Sequence, residues 1–402
     1  MAKHKMVIFT YEFFHYHVAR CRCARLLGTK MGWDVLLYAG QLINPAVPMP
    51  KYLEAFNTDP PRVIAQRVSS YDDPRIIKVA LDWLDRDNPD AVAVLGYSTR
   101  MDRAVLGWCR SRRRGAILLS ESQAIDFPRS VYREWIKKKW LSLFDAALVG
   151  GTPHRAYALQ LGMPAERVFI GYDVVDNEYW GRVTQEAVRE QDKWRRLYNL
   201  LAERFFLTVC RFVPKKNLPG LLRAYALYAS LAGGSPWHLV IAGTGPMEEE
   251  IRSLIAQLGL GELVHLPGYL SAEQLGPLYA LASTFILPSL YSEQWGLVVN
   301  EAMAARLPVL VSNICGCAPD LVIEEVTGFT FDPRDERRLA ELMLRMHSGE
   351  VDLEKMGRAA QKHIANYSPD LFARNLLQAA EVAIEHAKRR RWFPWPPPQW
   401  WI

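Results

Sequence analysis

The stretch TFILPSLYSEQWGLVVNEAMAARLPVLVSN, residues 284–313, decides the fold. An apolar run at Thr284–Ser289 stops at a short polar loop, a helix pattern follows from Trp295 to Ala305, and a second apolar run, Pro308–Asn313, closes the unit. That order is strand, helix, strand. Parallel strands joined by such a crossover bind ligands at their carboxyl ends, where the free N–H groups and positive dipole end of the helix face an anion. Two carboxylates flank this point, Glu293 in the loop and Glu301 inside the helix, with seven residues between them. A carboxylate beside a phosphate site repels the phosphate and is better suited to accept hydrogen bonds from sugar hydroxyls. The unit therefore reads as a site for a nucleotide sugar.

The same rhythm runs outward in both directions. Apolar runs at Met6–Tyr11, Asp34–Gly40, Ala91–Gly96, Ala116–Glu121, Ala146–Gly151 and Val168–Tyr172 alternate with helix-patterned segments, and a second series follows at Phe205–Arg211, Trp237–Gly243, Leu263–Tyr269, Thr284–Ser289, Pro308–Asn313 and Gly328–Asp332. Near-continuous apolar strands alternating with helices make parallel sheets covered on both faces. Two such series in 402 residues suit an α/β protein of two domains. The charged, helix-patterned segment Asn177–Glu203 between them reads as a connector with no core of its own.

Half the residues are hydrophobic, which fits a folded protein and not a disordered one. The chain lacks a run of about 18 uncharged apolar residues, and the apolar stretch before Glu12 is too short for a secretory signal, so a cytoplasmic setting is expected. The six cysteines include the pairs Cys21/Cys23 and Cys315/Cys317, whose spacing is not that of zinc knuckles; reduced structural thiols are expected. A net charge of +6 is mild for a nucleic-acid binder, and none is expected as a partner; it is compatible with an anionic membrane or a phosphorylated ligand.

Glu293, Trp295, Gly296, Leu297, Glu301 and Ala302 stand in the register E-x-[FW]-G-L-x-x-x-E-A. In this the chain resembles the retaining GT-B glycosyltransferases of family 4, which include phosphatidylinositol mannosyltransferases and lipopolysaccharide glucosyltransferases. The resemblance implies two Rossmann-like domains with parallel sheets facing across a cleft: an acceptor domain over 1–180, a connector over 181–203, a donor domain over 204–370, a C-terminal helix 371–391 packing back on the first domain, and a tail over 392–402. It implies that Arg211 and Lys216, an R-x4-K segment with Asn217 in place of the usual Gly, neutralise the departing diphosphate. Glu293 is then catalytic with them, holding the donor sugar's hydroxyls, Glu301 binds ribose, and the amides of Gly296 and Leu297 meet the diphosphate. Gly243 and Gly245 match the family's G-x-G-P turn, Tyr269 and Leu270 the segment against the base, and Gly316 a G-G-x-P-E loop in which Cys317 and Asp320 are departures. Gly243-Thr244-Gly245 is not the dinucleotide fingerprint, since Glu248 stands at the place of the third Gly.

No metal is expected, because no D-x-D ends a strand and Arg211, Lys216 and a helix start supply the positive charge, and no cofactor beyond the nucleotide-sugar co-substrate. The implied activity is transfer of a sugar, with retention, to a glycan or lipid-linked acceptor in cell-envelope or exopolysaccharide synthesis. A nucleotide-sugar epimerase of the same two-domain layout and a non-catalytic glycan-binding scaffold are the alternatives.

In the first domain the opening strand ends in Tyr11-Glu12-Phe13-Phe14-His15-Tyr16-His17, where relatives carry a glycine-rich turn. Glu12, His15, His17 and Arg20 are candidates to grip the acceptor, as are Arg100 and Glu121, which end other strands; Glu121 lies where many relatives have a His. Capping and wall-filling are the structural alternatives. Residues 131–144, VYREWIKKKWLSLF, set Arg133, Lys137, Lys138 and Lys139 beside an apolar stripe of Ile136, Trp140, Leu141 and Phe144, suited to an anionic membrane surface or to the domain core. The tail KRRRWFPWPPPQWWI, residues 388–402, repeats the pairing of basic and Trp residues, which suits peripheral attachment to a membrane or a partner.

Overall fold

The computed structural model describes residues 4–13, 15–42, 60–65, 68–126, 128–198 and 204–390. They fall into two compact units, one built on 1–124, 128–175 and the chain from Ser368 onward, the other on Asp176–Tyr367 with 125–127. The Trp/Pro tail 392–402 lies outside the described residues.

The first unit runs β1 (His4–Phe13), α1 (His15–Lys30), β2 (Trp33–Leu42), β3 (Arg62–Val63), α2 (Pro74–Asp87), β4 (Ala91–Val94), α3 (Arg100–Ser111), β5 (Gly115–Ser120), α4 (Val131–Leu141), β6 (Ala146–Val149), α5 (Thr152–Gln160) and β7 (Val168–Ile170). Its sheet has the order β3-β2-β1-β4-β5-β6-β7 and is parallel throughout. The central strands β4 and β6 are buried at every residue, which is why they read as unbroken apolar runs.

The second unit begins with α6 (Asn177–Arg189) and α7 (Gln191–Leu197). It continues through β8 (Phe205–Val209), α8 (Leu218–Leu231), β9 (His238–Ala242), α9 (Glu248–Gln257), β10 (Val264–His265), α10 (Ala272–Leu281), β11 (Thr284–Leu287), α11 (Leu297–Ala304), β12 (Val309–Ser312), α12 (Ala318–Leu321), β13 (Gly328–Phe331), α13 (Glu336–His347) and α14 (Leu353–Ile364). Its parallel sheet has the order β10-β9-β8-β11-β12-β13. The chain builds β8, β9 and β10 toward one edge, then returns to lay β11 on the other side of β8. The order therefore reverses between β8 and β11, and loops leaving their carboxyl ends diverge to open a crevice.

The expected connector is corrected by α6. Trp180 on this helix is 1% exposed and meets the Tyr279 ring edge-on at 5.3 Å; Thr184 and Ala187 are buried on the same face. Asp176 caps the helix by accepting from the Tyr179 N–H, and the segment is part of the second unit's core. Charge alone hid this, because the helix is amphipathic and shows its polar face in most positions.

The last helix, α15 (Pro369–Arg389), belongs to the first unit and lies along α1, β5 and β6. Buried Asp145 anchors its end: one carboxylate oxygen takes the Ala116 N–H at 2.9 Å, the other meets His386 Nδ1 at 2.7 Å, and Arg390 stands 3.3 Å away. Among the described residues the six cysteines are free thiols, and no helix is long and apolar enough to cross a membrane.

Candidate active site

The reversal point of the second sheet collects the residues singled out in the sequence. After β8 the chain passes Cys210, Arg211, Phe212 and Val213, then makes a single helical turn over Pro214–Lys216 that ends at Asn217. Asn217 has φ +51°, a left-handed conformation that Asn accepts more readily than other non-glycine residues, which accounts physically for Asn at a position where the resemblance led us to expect Gly. The turn aims Lys216 inward, where it is 9% exposed.

The loop after β11 is sewn to that turn. Leu290 N–H donates to the Lys215 carbonyl at 2.8 Å, Lys215 Nζ donates to the Ser292 carbonyl at 3.3 Å, and Lys216 Nζ pairs with Glu293 Oε2. Ser289 Oγ donates to the same oxygen at 2.8 Å. Burial of Glu293 opposes its charge, but Lys216, then Lys215, and the hydrogen bonds from Lys216 and Ser289 outweigh it and hold its carboxyl below the ordinary range. Glu293 is thus an ionised carboxylate, 6% exposed, with a cation already beside it.

Gly296 then caps α11 with φ +106°, and a Cβ there would stand 2.7 Å from Leu287 Cδ2. No side chain caps this helix start. The first amide groups of α11, Leu297 among them, are therefore not satisfied by a capping side chain. Glu301, one turn in, is 6% exposed and accepts from Tyr279 Oη at 2.8 Å. Burial, then the neighbouring Glu301, pushes the Tyr279 phenol up, so it remains a donor. Trp295 Nε1 donates to Asn300 Oδ1 at 2.8 Å, fixing the indole of the preceding loop on α11.

Neighbouring loops close the rim. Gly316 N–H donates to the Glu293 carbonyl at 3.0 Å and Cys317 N–H to the Trp295 carbonyl at 3.3 Å, so the loop after β12 braces the loop after β11. Gly243 N–H donates to the Gly268 carbonyl at 2.8 Å, and Phe212 N–H to the Thr244 carbonyl at 2.9 Å. Gly243 and Gly245 are obligatory: a Cβ would fall 1.8 Å from the Cys210 carbonyl oxygen in one case and 2.6 Å from the Phe212 carbonyl oxygen in the other. Tyr269 is 76% exposed beside them. Arg211 is exposed and has no carboxylate partner among the described residues.

Lys216, Glu293, Gly296, Leu297, Gly316, Gly243 and Gly245 are thus held by contiguous loops at one end of one sheet. Sequence reasoning did not find Ser289 or Tyr279, the groups that position Glu293 and Glu301. Tyr279 lies on α10, 22 residues before Glu301, and no local spacing reports that contact.

The first-unit candidates fare differently. Glu12 accepts from Gln41 Nε2 at 2.9 Å, and Gln41 Oε1 takes the Val68 N–H at 2.6 Å. His17 is 9% exposed and lies 5.9 Å from the Phe13 ring; the His15 side chain lies outside what is described. Arg100 opens α3, its N–H bound to Asp72 Oδ1 at 2.6 Å. Arg20 is no grip for a ligand: it is 1% exposed, donates Nε to the Val174 carbonyl at 3.0 Å and stands 3.6 Å from Asp173. Glu121, at the end of β5, is half-buried.

On α4, Leu141 and the following Phe144 are buried, and Trp140 stacks on Tyr97 at 6.3 Å. Val131, Tyr132 and Trp135 face outward at 91%, 69% and 56% exposure, with Lys139 Nζ 5.4 Å from the Trp135 ring centre. The stripe expected to face either core or lipid faces the core, and the outward apolar group is a different one on the first turn.

Residues 190–363 match the family profile of glycosyl transferases group 1. Among curated proteins, an uncharacterized glycosyltransferase of Methanocaldococcus jannaschii is 31% identical over 184 residues, 46% of this chain and 46% of the relative. The O-antigen chain mannosyltransferase B of Escherichia coli is 31% identical over 173 residues, 43% of each. The aligned stretch thus spans about half the length of these relatives. Among solved structures, a glycosyltransferase from Rickettsia africae superposes with a TM-score of 0.73 at 16% identity, over 96% of this chain and 100% of the other. Anabaena HepE in complex with UDP-glucose gives 0.67 at 16% identity, over 94% and 99%. These two extend the likeness of fold, two Rossmann-like domains of the GT-B class, to nearly the whole chain. The switch-point loops of the second unit lie inside the matched segment, and the chain carries there, over 190–363, a domain of the glycosyl transferases group 1 family.

Proposed function

We propose that this chain is a retaining, metal-independent glycosyltransferase that moves a sugar from a nucleotide-diphospho-sugar to a glycan or lipid-linked acceptor in envelope or exopolysaccharide synthesis. The observation that carries the reading is the pairing of Lys216 with Glu293 where the second sheet reverses order, beside the uncapped start of α11. The ammonium has three protons and Glu293 uses one, so Lys216 can hold a diphosphate oxygen while orienting the carboxylate. Cleaving the bond from sugar to diphosphate builds negative charge on the leaving group. Lys216, Arg211 and the amides of Gly296 and Leu297 stabilise that charge more in the transition state than before it. Glu293 takes the sugar's hydroxyls, Glu301 the ribose, and the turns at Gly243, Gly245, Tyr269, Leu270 and Gly316 line the remainder. Attack on the same face lets the departing phosphate accept the acceptor's proton.

A solved neighbour in complex with UDP-glucose supports a nucleotide-sugar donor, and the mannosyltransferase among the relatives supports polymer or lipid glycosylation. The outward Val131, Tyr132 and Trp135 with Arg133, Lys138 and Lys139 support peripheral contact with the cytoplasmic face of an anionic membrane.

The test is thermal-shift screening with UDP-, GDP- and ADP-sugars, followed by transfer assays on the stabilising donor with and without acceptor. Lys216→Ala or Arg211→Ala should lower turnover by about 100-fold or more. Near-normal rates in either variant refute its role. Product from donor alone identifies the epimerase instead, and no nucleotide-sugar binding identifies the scaffold.

A further inference from the structure

Tyr279 lies on α10, outside every loop of the crevice, yet it touches the second carboxyl of the site. It is 0% exposed and donates Oη to Glu301 Oε2 at 2.8 Å. Two rings hold it in place: Trp180 of α6 meets it edge-on at 5.3 Å, and Phe285 of β11 lies tilted against it at 6.0 Å. Ring pairs at such spacings attract each other beyond the area they bury. α6 comes close to α10 because residue 276 is Gly, where a Cβ would stand 3.0 Å from Val183 Cγ2.

With its ring clamped, Tyr279 keeps its oxygen in one place, and the carboxyl of Glu301 has a fixed partner on Oε2. A Glu side chain has three torsions, and ordering them when a ligand binds lowers affinity; a carboxyl already ordered by a buried phenol escapes that loss. A carboxyl offers several acceptor positions, so the one that Tyr279 takes leaves capacity for a ligand hydroxyl. A site built around a hydroxyl in this way rejects the analogue that lacks it, because its polar group is then left without that partner.

We propose that Tyr279, backed by Trp180, is a positioning residue that fixes the direction of the Glu301 carboxyl and so sets how strongly the site distinguishes a ribonucleotide from its deoxyribonucleotide counterpart. This rests on the glycosyltransferase reading, in which Glu301 meets ribose. The donor class that follows is the ribonucleoside diphosphate sugar. A deoxythymidine diphosphate sugar lacks one of the ribose hydroxyls and gains less from the ordered carboxyl. Tyr279→Phe removes a single oxygen and keeps the ring in its packing, so its effect reports the hydrogen bond and not the core.

The experiment measures binding to the full-length chain by calorimetry, with UDP, GDP and ADP each set against its 2′-deoxy and 3′-deoxy analogues. Wild type is expected to prefer the ribonucleotide by about tenfold or more over the weaker analogue. Y279F is expected to cut that ratio to about threefold or less by weakening the ribonucleotide alone. A purely structural role would weaken all three ligands together and leave the ratio as it was, and that result overturns the proposal. In an E301Q background Y279F is expected to change the ratio no further; an additional loss there shows that Tyr279 does not act through Glu301 and overturns it too. Should Y279F fail to fold, W180F decides, since it keeps the phenol and shrinks the ring behind it: a lowered ratio supports the proposal and an unchanged one overturns it. Equal affinity of wild type for all three ligands overturns the ribose role and leaves the glycosyltransferase reading standing. No binding of any nucleoside diphosphate removes that reading and the proposal with it.

Discussion

Lys216 and Glu293 show how far a residue's identity is from its environment. Both were legible as site residues from spacing, but their contact was not, because 77 residues separate them. Ser289 and Lys215 complete the environment from two loops that meet only in the folded sheet. A depressed carboxyl contributes stability that is present above its unfolded range and lost as pH falls through the folded value. Lys216→Met should therefore cost about 3–5 kcal/mol at neutral pH, since it leaves a buried carboxylate without its cation, and the deficit against wild type should shrink on acidification as Glu293 is neutralised. Urea unfolding over a pH series measures this; a deficit that does not change with pH argues that lost packing, not charge, is responsible. Glycines separate in the same way. Gly243→Ala, with its Cβ 1.8 Å from a carbonyl oxygen, should cost about 2 kcal/mol or more, whereas Gly259→Ala, left-handed but with nothing within 4 Å, should cost about 1 kcal/mol. Equal losses would show that conformation alone governs both sites.

Elements were readable to the degree that their burial was uniform. The central strands of both sheets are buried on both faces, so unbroken apolar runs announced them. β3, with two residues at the sheet edge, has no such run and went unseen. α6 was misread for the opposite reason: its polar positions dominate the sequence while a single indole anchors its inner face. Trp180→Ala should destabilise the second unit by about 3–5 kcal/mol, read from the urea midpoint. A loss below about 1 kcal/mol, the level of an ordinary surface substitution, would return α6 to the status of a connector. Around α4 the period grouped Leu141 and Phe144 on one stripe but left open whether it meets the core or a membrane; both are buried, while Val131, Tyr132 and Trp135 face outward.

At the scale of the whole chain, charge and exposed apolar groups bear on where it works. The net charge of +6 is spread over the sequence, yet Arg133, Lys138 and Lys139 surround Val131, Tyr132 and Trp135 on one helix. Flotation with phosphatidylserine vesicles should recover the wild-type chain, and reversing Lys138 and Lys139 to Glu should weaken recovery by about tenfold or more, at roughly 1 kcal/mol for each lost basic residue. Unchanged flotation in that variant, together with loss on removing residues 392–402, would assign attachment to the tail instead.

By itself the sequence determined the class of fold and the stretch that carries the candidate site. Periodicity depends on local geometry, and the E-x7-E segment carries its strand, loop and helix within 30 residues. Tertiary structure alone decided which groups surround those carboxylates and that α6 belongs to a core. Such contacts join residues that are remote along the chain, and burial, which sets their charge, exists only once the sheets have formed.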